Sequence, residues 1–292
     1  MTSPAKTSPD RLAAYLRHLR LDTSPSPDRE GLARLQAAHR QAIAFANLDL
    51  RLGNPIRIDS DAAFDKLVTR RRGGYCFEQN RLFSDMLSAL GMPNRPLLAR
   101  VRLGLPPDAP AQPRTHVLLL VDLAGEPWIA DAGFGASYVP PLPLVDGFTV
   151  TTDDGASHRL RRIGAPGDLG GEWLLDRAGP VSDNRAAANA DWQPQYAFDL
   201  LHVAPDDLEQ CNHWTSTRAG TRFLTMHLVS IALPNGFASM TDSGLTIYRG
   251  QTKQVRVIDD LGDYQAVLAD LFGLALSPEE VAALPLTQPE RL

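Results

Sequence analysis

Two cysteines in 292 residues, Cys76 and Cys211, are too few for a disulfide framework or for a metal site built from several thiolates. Long hydrophobic runs are missing too: no stretch approaches the roughly twenty apolar residues a membrane-spanning helix needs. The first ten residues carry Pro, Ser and Thr but no apolar signal core. Positive charge is not in excess, since 29 Lys and Arg stand against 34 Asp and Glu. The net charge of −5 means that the whole surface is no nucleic-acid footprint. No internal repeat occurs. These absences point to a soluble, cytoplasmic protein without metal, nucleic-acid or membrane partner, in a reducing compartment that keeps a thiol available. With 43% hydrophobic residues, the chain has material for a sizeable core in one large domain or two to three small ones.

What is present changes character along the chain. Residues 1–10 read as a loose tail. Residues 11–21, with Leu12, Tyr15, Leu16 and Leu19, have helical spacing, and so have 26–43 and 61–68. His18 and His39 fall on polar helix positions and are expected to be solvated. After Gly91 the pattern alternates over 96–103, 115–121, 127–130, 148–151, 158–163 and 173–175. Gly, Pro and Asp separate these pieces, as short antiparallel strands closing into a β-barrel or curved sheet require. A helical or irregular connector spans 199–213. Strands resume over 223–233, 236–240, 245–248 and 255–258, and helices over 262–272 and from Ser277 to Leu284. The chain is therefore of α+β class.

The stretch Arg72-Gly73-Gly74-Tyr75-Cys76-Phe77-Glu78-Gln79-Asn80 is the centre of the reading. Leu82, Phe83, Met86, Leu87 and Leu90 follow at helical spacing, and Gly91 closes the run as a cap. Cys76 thus falls in the first helical turn, where unpaired N–H groups and the dipole favour a thiolate. The competing reading is a buried, inert cysteine. Glu78 is expected to partner Arg72. Arg70, Arg71 and Arg72, extended by Arg100, Arg102 and Arg114, form either an anion patch or a solvated basic corner.

A thiol nucleophile needs a base, and the base an orienting partner. Of seven histidines, His116 opens an apolar strand, while the next strand ends in Asp131-Ala132-Gly133-Phe134-Gly135. If residues 122–126 close a hairpin, the start of one strand lies beside the end of the other, and His116 and Asp131 become neighbours. The alternative is that Asp131 merely starts a Gly-rich turn. The glycines flanking Phe134 would let backbone N–H groups face an anion or a carbonyl oxygen.

Taken together, the Cys76 stretch, Thr115-His116-Val117 and Asp131-Ala132-Gly133-Phe134-Gly135 resemble the arylamine N-acetyltransferase family in order and spacing. Phe45-Ala46-Asn47-Leu48 is similar to that family's Pro-Phe-Glu-Asn-Leu segment. Asn212, Ser216, Thr217 and Phe223 are similar to a later one, so the resemblance spans about residues 39–225. Ala44, Ala46 and Ala132 depart from it, which leaves the acceptor pocket beside Phe45 open to question but not the triad. The resemblance implies three parts around a transglutaminase- or papain-like Cys-His-Asp core. These are a helical bundle (1–90) with the nucleophile, a β-barrel (91–195) with His and Asp, and a connector with an α/β lid (196–292). It implies ping-pong transfer of acetyl from acetyl-coenzyme A through an acetyl-cysteine to arylamines or arylhydrazines, xenobiotics included. Cys76, His116 and Asp131 would be catalytic. Thr115, Gly133, Phe134 and Gly135 would line the coenzyme path, and Phe45 and Phe223 the acceptor pocket. A cysteine acyl hydrolase or transglutaminase-like acyltransferase with the same triad remains the alternative. A homo-oligomer, the physiological amine and the groups that hold the coenzyme phosphates are left open.

Overall fold

The structure, a computed structural model, describes residues 8–106, 108–180, 192–250 and 252–284; the tail expected over 1–10 lies mostly outside them. Helices come first, and the first two are each started by a short polar side chain that accepts from an open backbone N–H. Ser8 does so for α1 (Pro9–His18) and Asp28 for α2 (Arg29–Ala42). A two-residue strand β1 (Phe45–Ala46) and the short helices α3 (Leu48–Arg51) and α4 (Ser60–Phe64) follow. The single helix expected over 61–68 is instead α4 running into one π-helical turn, Asp65–Thr69. Helix α5 (Cys76–Ala89) ends at Gly91, whose φ of +79° suits glycine. Its apolar stripe, Leu82, Phe83, Met86 and Leu87, packs on Tyr15 and Leu19 of the first helical segment and on Leu32 and Leu35 of α2.

That packing overturns one expectation. His39 is fully buried, because it shares the inner face of α2 with Leu32, Leu35 and Gln36. Tyr15 Oη lies 2.7 Å from its Nδ1, and Gln79 Oε1 lies 2.6 Å from its Nε2. The amide oxygen can only accept, so Nε2 carries the proton and Nδ1 accepts from the tyrosine. Burial pushes the imidazole down to about 3, outweighing the Gln79 bond, so it is neutral.

The middle of the chain is an eight-stranded antiparallel sheet. Its strands are β2 (Asn94–Val101), β3 (His116–Leu123), β4 (Glu126–Ala130), β5 (Leu142–Pro143), β6 (Thr149–Thr151), β7 (Ser157–Arg162), β8 (Trp173–Ala178) and β9 (Gln193–Phe198). They lie in the order β5-β4-β3-β2-β9-β8-β7-β6. Leu97, Leu118, Ile129, Leu142, Leu160, Leu175 and Tyr196 come from seven of these strands yet share one core. The sheet therefore curls on itself into a nearly closed barrel. Strand β9 was not anticipated, because Gln193-Pro194-Gln195 hides its alternation.

The last part begins with α6 (Pro205–Thr217) and α7 (Arg222–Thr225). The strand expected from 223 starts later, as β10 (Leu228–Leu233), followed by β11 (Gly236–Thr241), β12 (Gly244–Arg249) and β13 (Thr252–Val257). Helices α8 (Leu261–Asp270) and α9 (Pro278–Ala283) cover this sheet. Strand β1 pairs with β10, Phe45 opposite Ser230, so the N-terminal segment supplies an edge to the C-terminal sheet. Among the described residues no helix is long and apolar enough to cross a membrane.

Candidate active site

Cys76 reaches its place through the two glycines before it. Gly73 has φ +63°, and a Cβ there would stand 2.8 Å from the Ala44 carbonyl oxygen. Its absence lets the chain run beside β1, with Ala46 N–H donating to the Gly74 carbonyl at 3.0 Å. Phe45 and Cys76 are thereby brought into one buried cluster with Tyr75, Phe77, Leu98 and Val117, with Phe223 at its margin. Three carboxylates anchor the approach. Glu78 turns back to accept from the Tyr75 N–H at 3.1 Å and from Lys66 Nζ at 2.6 Å. Arg72 does not pair with Glu78 as expected. The helix start claims that carboxylate, and Arg72 reaches Asp49 and Glu280, each at 2.6 Å. Arg72 thus ties the nucleophile loop to α3 and α9.

His116 and Asp131 meet as the hairpin argument requires. The turn between β3 and β4 is Ala124-Gly125, with φ +54° and +89°, a two-residue form that keeps the strands in tight register. Leu119 pairs with Ala130, so Asp131 emerges level with the first turn-lengths of β3. Asp131 Oδ2 lies 2.7 Å from His116 Nε2, and both side chains are buried. Burial alone would lower His116. The charge and hydrogen bond of Asp131, with the bond to Cys76, override it and lift the imidazole to about 10. Burial would raise Asp131. The His116 charge and hydrogen bond, the Gly133 N–H and Asn80 hold it below its ordinary range instead. The pair is therefore imidazolium and carboxylate near neutral pH. With Nε2 committed to Asp131, Nδ1 is the ring nitrogen that serves Cys76. The Cys76 thiol also donates to the Thr115 carbonyl at 3.6 Å.

The carboxylate is braced from residues that pattern reading missed. Asn80, one helical turn beyond Cys76, donates to Asp131 Oδ1 at 3.1 Å and to the Val117 carbonyl at 2.7 Å, and accepts from Ala132 N–H at 3.0 Å. Gln36 accepts from Asp131 N–H at 2.9 Å. The Tyr196 ring stands 4.9 Å from the His116 ring. Burial first, and Asp131 second, push its phenol well above the ordinary range. The hydroxyl lies near that carboxylate without closing a direct bond of normal geometry. Asn80 and Gln36 left a trace in the sequence, as polar residues interrupting buried helical stripes; Tyr196 left none.

The other anticipated residues fall around this core. Phe134 is buried with its ring 5.2 Å from His116. Gly133 donates its N–H to Asp131 Oδ1 at 2.9 Å, so that group is engaged within the protein. An added Cβ on Gly133 would stand 2.8 Å from Cys76 Cα, and one on Gly135 2.7 Å from the Phe45 ring. Phe45 and Phe223 rings lie 6.2 Å apart, with Tyr75 5.5 Å from Phe223. Gly133→Ala is expected to cost about 1–3 kcal/mol in urea unfolding, because the new Cβ meets the Cys76 backbone, which cannot swing aside, and the amide of Asn80, which is held by its own hydrogen bonds. It should lower acetyl transfer as well by prising Cys76 from His116. Unchanged stability would mean that the two segments are not in contact. Among the described residues no cluster of three or more His, Cys, Asp or Glu is placed to hold a metal.

Comparison with known proteins bears on the family and the fold. A family model described as N-acetyltransferase matches residues 28–281. The chain is 36% identical over 248 residues to the arylamine N-acetyltransferase of Escherichia coli K12, covering 84% of this chain and 82% of that one. It is also 36% identical over 270 residues to the Salmonella typhimurium protein named arylamine N-acetyltransferase / N-hydroxyarylamine O-acetyltransferase, covering 91% and 89%. The solved structure of the arylamine N-acetyltransferase from Salmonella typhimurium matches with a TM-score of 0.84 at 33% identity, covering 96% of this chain and 98% of that one. That of the Mycobacterium marinum enzyme in complex with CoA matches with a TM-score of 0.80 at 30% identity, covering 94% and 98%.

Proposed function

This chain belongs to the arylamine N-acetyltransferase family, and on that footing we propose that it carries acetyl from acetyl-coenzyme A to an arylamine or arylhydrazine on Cys76. The observation that supports this most is the 2.7 Å bond between His116 and Asp131, both buried, with the free face of the imidazole turned to the thiol. In the first half-reaction the Cys76 sulfur attacks the thioester carbonyl. A new S–C bond forms, the coenzyme S–C bond breaks, and the coenzyme sulfur takes the proton that His116 holds. In the second, the amine nitrogen attacks the acetyl-cysteine, His116 accepts the nitrogen's proton, and Cys76 leaves as the sulfur anion. Asp131 holds the ring and balances its charge throughout. Arylamines and hydrazines are largely neutral near pH 7 and attack without first losing a proton, which alkylamines cannot do.

In this reading Phe45 and Phe223 bound the acceptor pocket, and Thr115, Phe134 and Gly135 line the coenzyme path. Gly133 contributes by its lack of a side chain, since its N–H already serves Asp131. The three segments 1–90, 91–195 and 196–292 supply the nucleophile, the His–Asp pair and the cover. A reducing cytoplasm suits a thiol nucleophile.

The test is coenzyme A release. With acetyl-coenzyme A alone, release is expected to stop at about one equivalent per chain, leaving an acetylated Cys76 detectable by mass; an arylamine then restores turnover. Sustained release without amine would make the protein a hydrolase and sink the transferase reading.

A further inference from the structure

Arg40 on α2 is a fully buried guanidinium that no step above uses. Its Nη2 donates to the Phe134 carbonyl at 3.0 Å, while Nε and Nη1 meet no acceptor among the described residues. A charge so poorly hydrogen-bonded is costly to bury unless another charge compensates it. Asp131 is the carboxylate that acts favourably on it through space. Gln36, one helical turn earlier on the same face, accepts from Asp131 N–H at 2.9 Å and donates to the Val139 carbonyl at 2.6 Å. The polar face of α2 therefore lies against the segment that begins with Asp131. Arg40 is bonded to Phe134, whose ring covers His116.

We propose that Arg40 is the counter-charge of the catalytic centre: its guanidinium balances the net single negative charge of Cys76 thiolate, His116 imidazolium and Asp131 carboxylate together, and so favours the ionised sulfur. This rests on Cys76 being the nucleophile. The neighbouring titratable groups leave the balance to Arg40. Tyr196 from β9, Tyr138 beyond Phe134 and Tyr75 before α5 are all raised by burial and stay neutral. His39, beside Arg40, is held neutral by burial. Glu78 is neutralised by Lys66, and Arg72 pairs with Asp49 and Glu280. Burial lowers Arg40 itself only to about 10, against the pull of Asp131, so it is charged at neutral pH.

The sign is fixed by electrostatics. Removing a buried cation makes every nearby proton leave at higher pH. The experiment is the rate of Cys76 alkylation by iodoacetamide against pH, read by mass on the Cys76 peptide so that Cys211 does not interfere. Wild type, Arg40→Met and Arg40→Lys are compared. Arg40→Met is expected to move the midpoint up by about one pH unit and slow alkylation near neutral pH up to about tenfold. Arg40→Lys keeps the charge and should stay near the wild-type midpoint. An unmoved or lowered midpoint in a folded Arg40→Met protein overturns the proposal, as does Arg40→Lys shifting as far as Arg40→Met. If Arg40→Met does not fold, Arg40→Gln carries the same comparison. If neither folds, Arg40→Lys decides, since a wild-type midpoint supports a role for charge and a displaced one refutes it. The two ideas fail separately. A wild-type Cys76 that alkylates no faster than a model thiol ends the nucleophile reading, while fast alkylation with no shift in the variant ends only the role of Arg40.

Discussion

Replacing Cys76 with serine is expected to abolish acetyl transfer, by on the order of a thousandfold or more, while leaving the fold intact. Oxygen and sulfur differ little in the space they need, and Cys76 is 3% exposed within a packed cluster. Urea unfolding should move by no more than about 1–2 kcal/mol, because the buried hydroxyl keeps the Thr115 carbonyl as a hydrogen-bond partner. The chemical loss comes from the imidazole. With His116 raised to about 10, the ring is already protonated near neutral pH. It can stabilise a sulfur anion, but it cannot take the proton of a hydroxyl that is a far weaker acid. Single-turnover acetylation from acetyl-coenzyme A, read by mass, is the measurement. Retained acetylation in the variant would place the nucleophile elsewhere, and Cys211 is the only other thiol in the chain.

Asp131→Asn is expected to lower acetyl transfer by about four orders of magnitude, by the reasoning that holds for other triads. All the groups that bond the Asp131 carboxylate are donors: His116 Nε2, Asn80 Nδ2 and Gly133 N–H. An amide offers one oxygen and one NH₂, so at least one of them faces another donor. Turning the NH₂ to His116 forces the ring proton onto Nδ1, where it blocks acceptance of the thiol proton. Turning it the other way leaves the neutral oxygen as a poorer partner for imidazolium and takes the acceptor from both Gly133 and Asn80. About 1–3 kcal/mol of stability should go with the unsatisfied donor. The pH dependence of stability should change too. A raised His116 stabilises the native protein fully below the ordinary imidazole range, and that contribution is lost as pH rises through about 10. A lowered Asp131 stabilises it above the ordinary carboxylate range, and that is lost as pH falls beneath it. Urea midpoints from acid to alkaline pH should therefore flatten in Asp131→Asn. A loss of activity under tenfold, with the wild-type pH dependence kept, would mean that His116 is oriented by something else.

Much of this site was legible without coordinates, and particular residues show why. The Cys76 helix announced itself through short-range physics: a Gly-Gly entry, an apolar stripe at 3.6-residue spacing and a Gly91 cap. The meeting of His116 and Asp131 was also a local matter, because a two-residue hairpin turn dictates which residues face each other across β3 and β4. The resemblance to a family then supplied roles that patterns could not.

What only the tertiary structure decided is the company these groups keep. Whether His39 meets water or Tyr15 depends on which helix lies against α2. The switch of Arg72 from Glu78 to Asp49 and Glu280 joins residues more than two hundred positions apart. Tyr196 sits on a strand whose alternation glutamine and proline disguise, and Arg40 is a cation that any sequence reading sends to the surface. Local periodicity and turn chemistry determine which elements form, since they act between near neighbours. Burial and charge balance are set by segments distant in sequence, and only their packing assigns each polar group its partner.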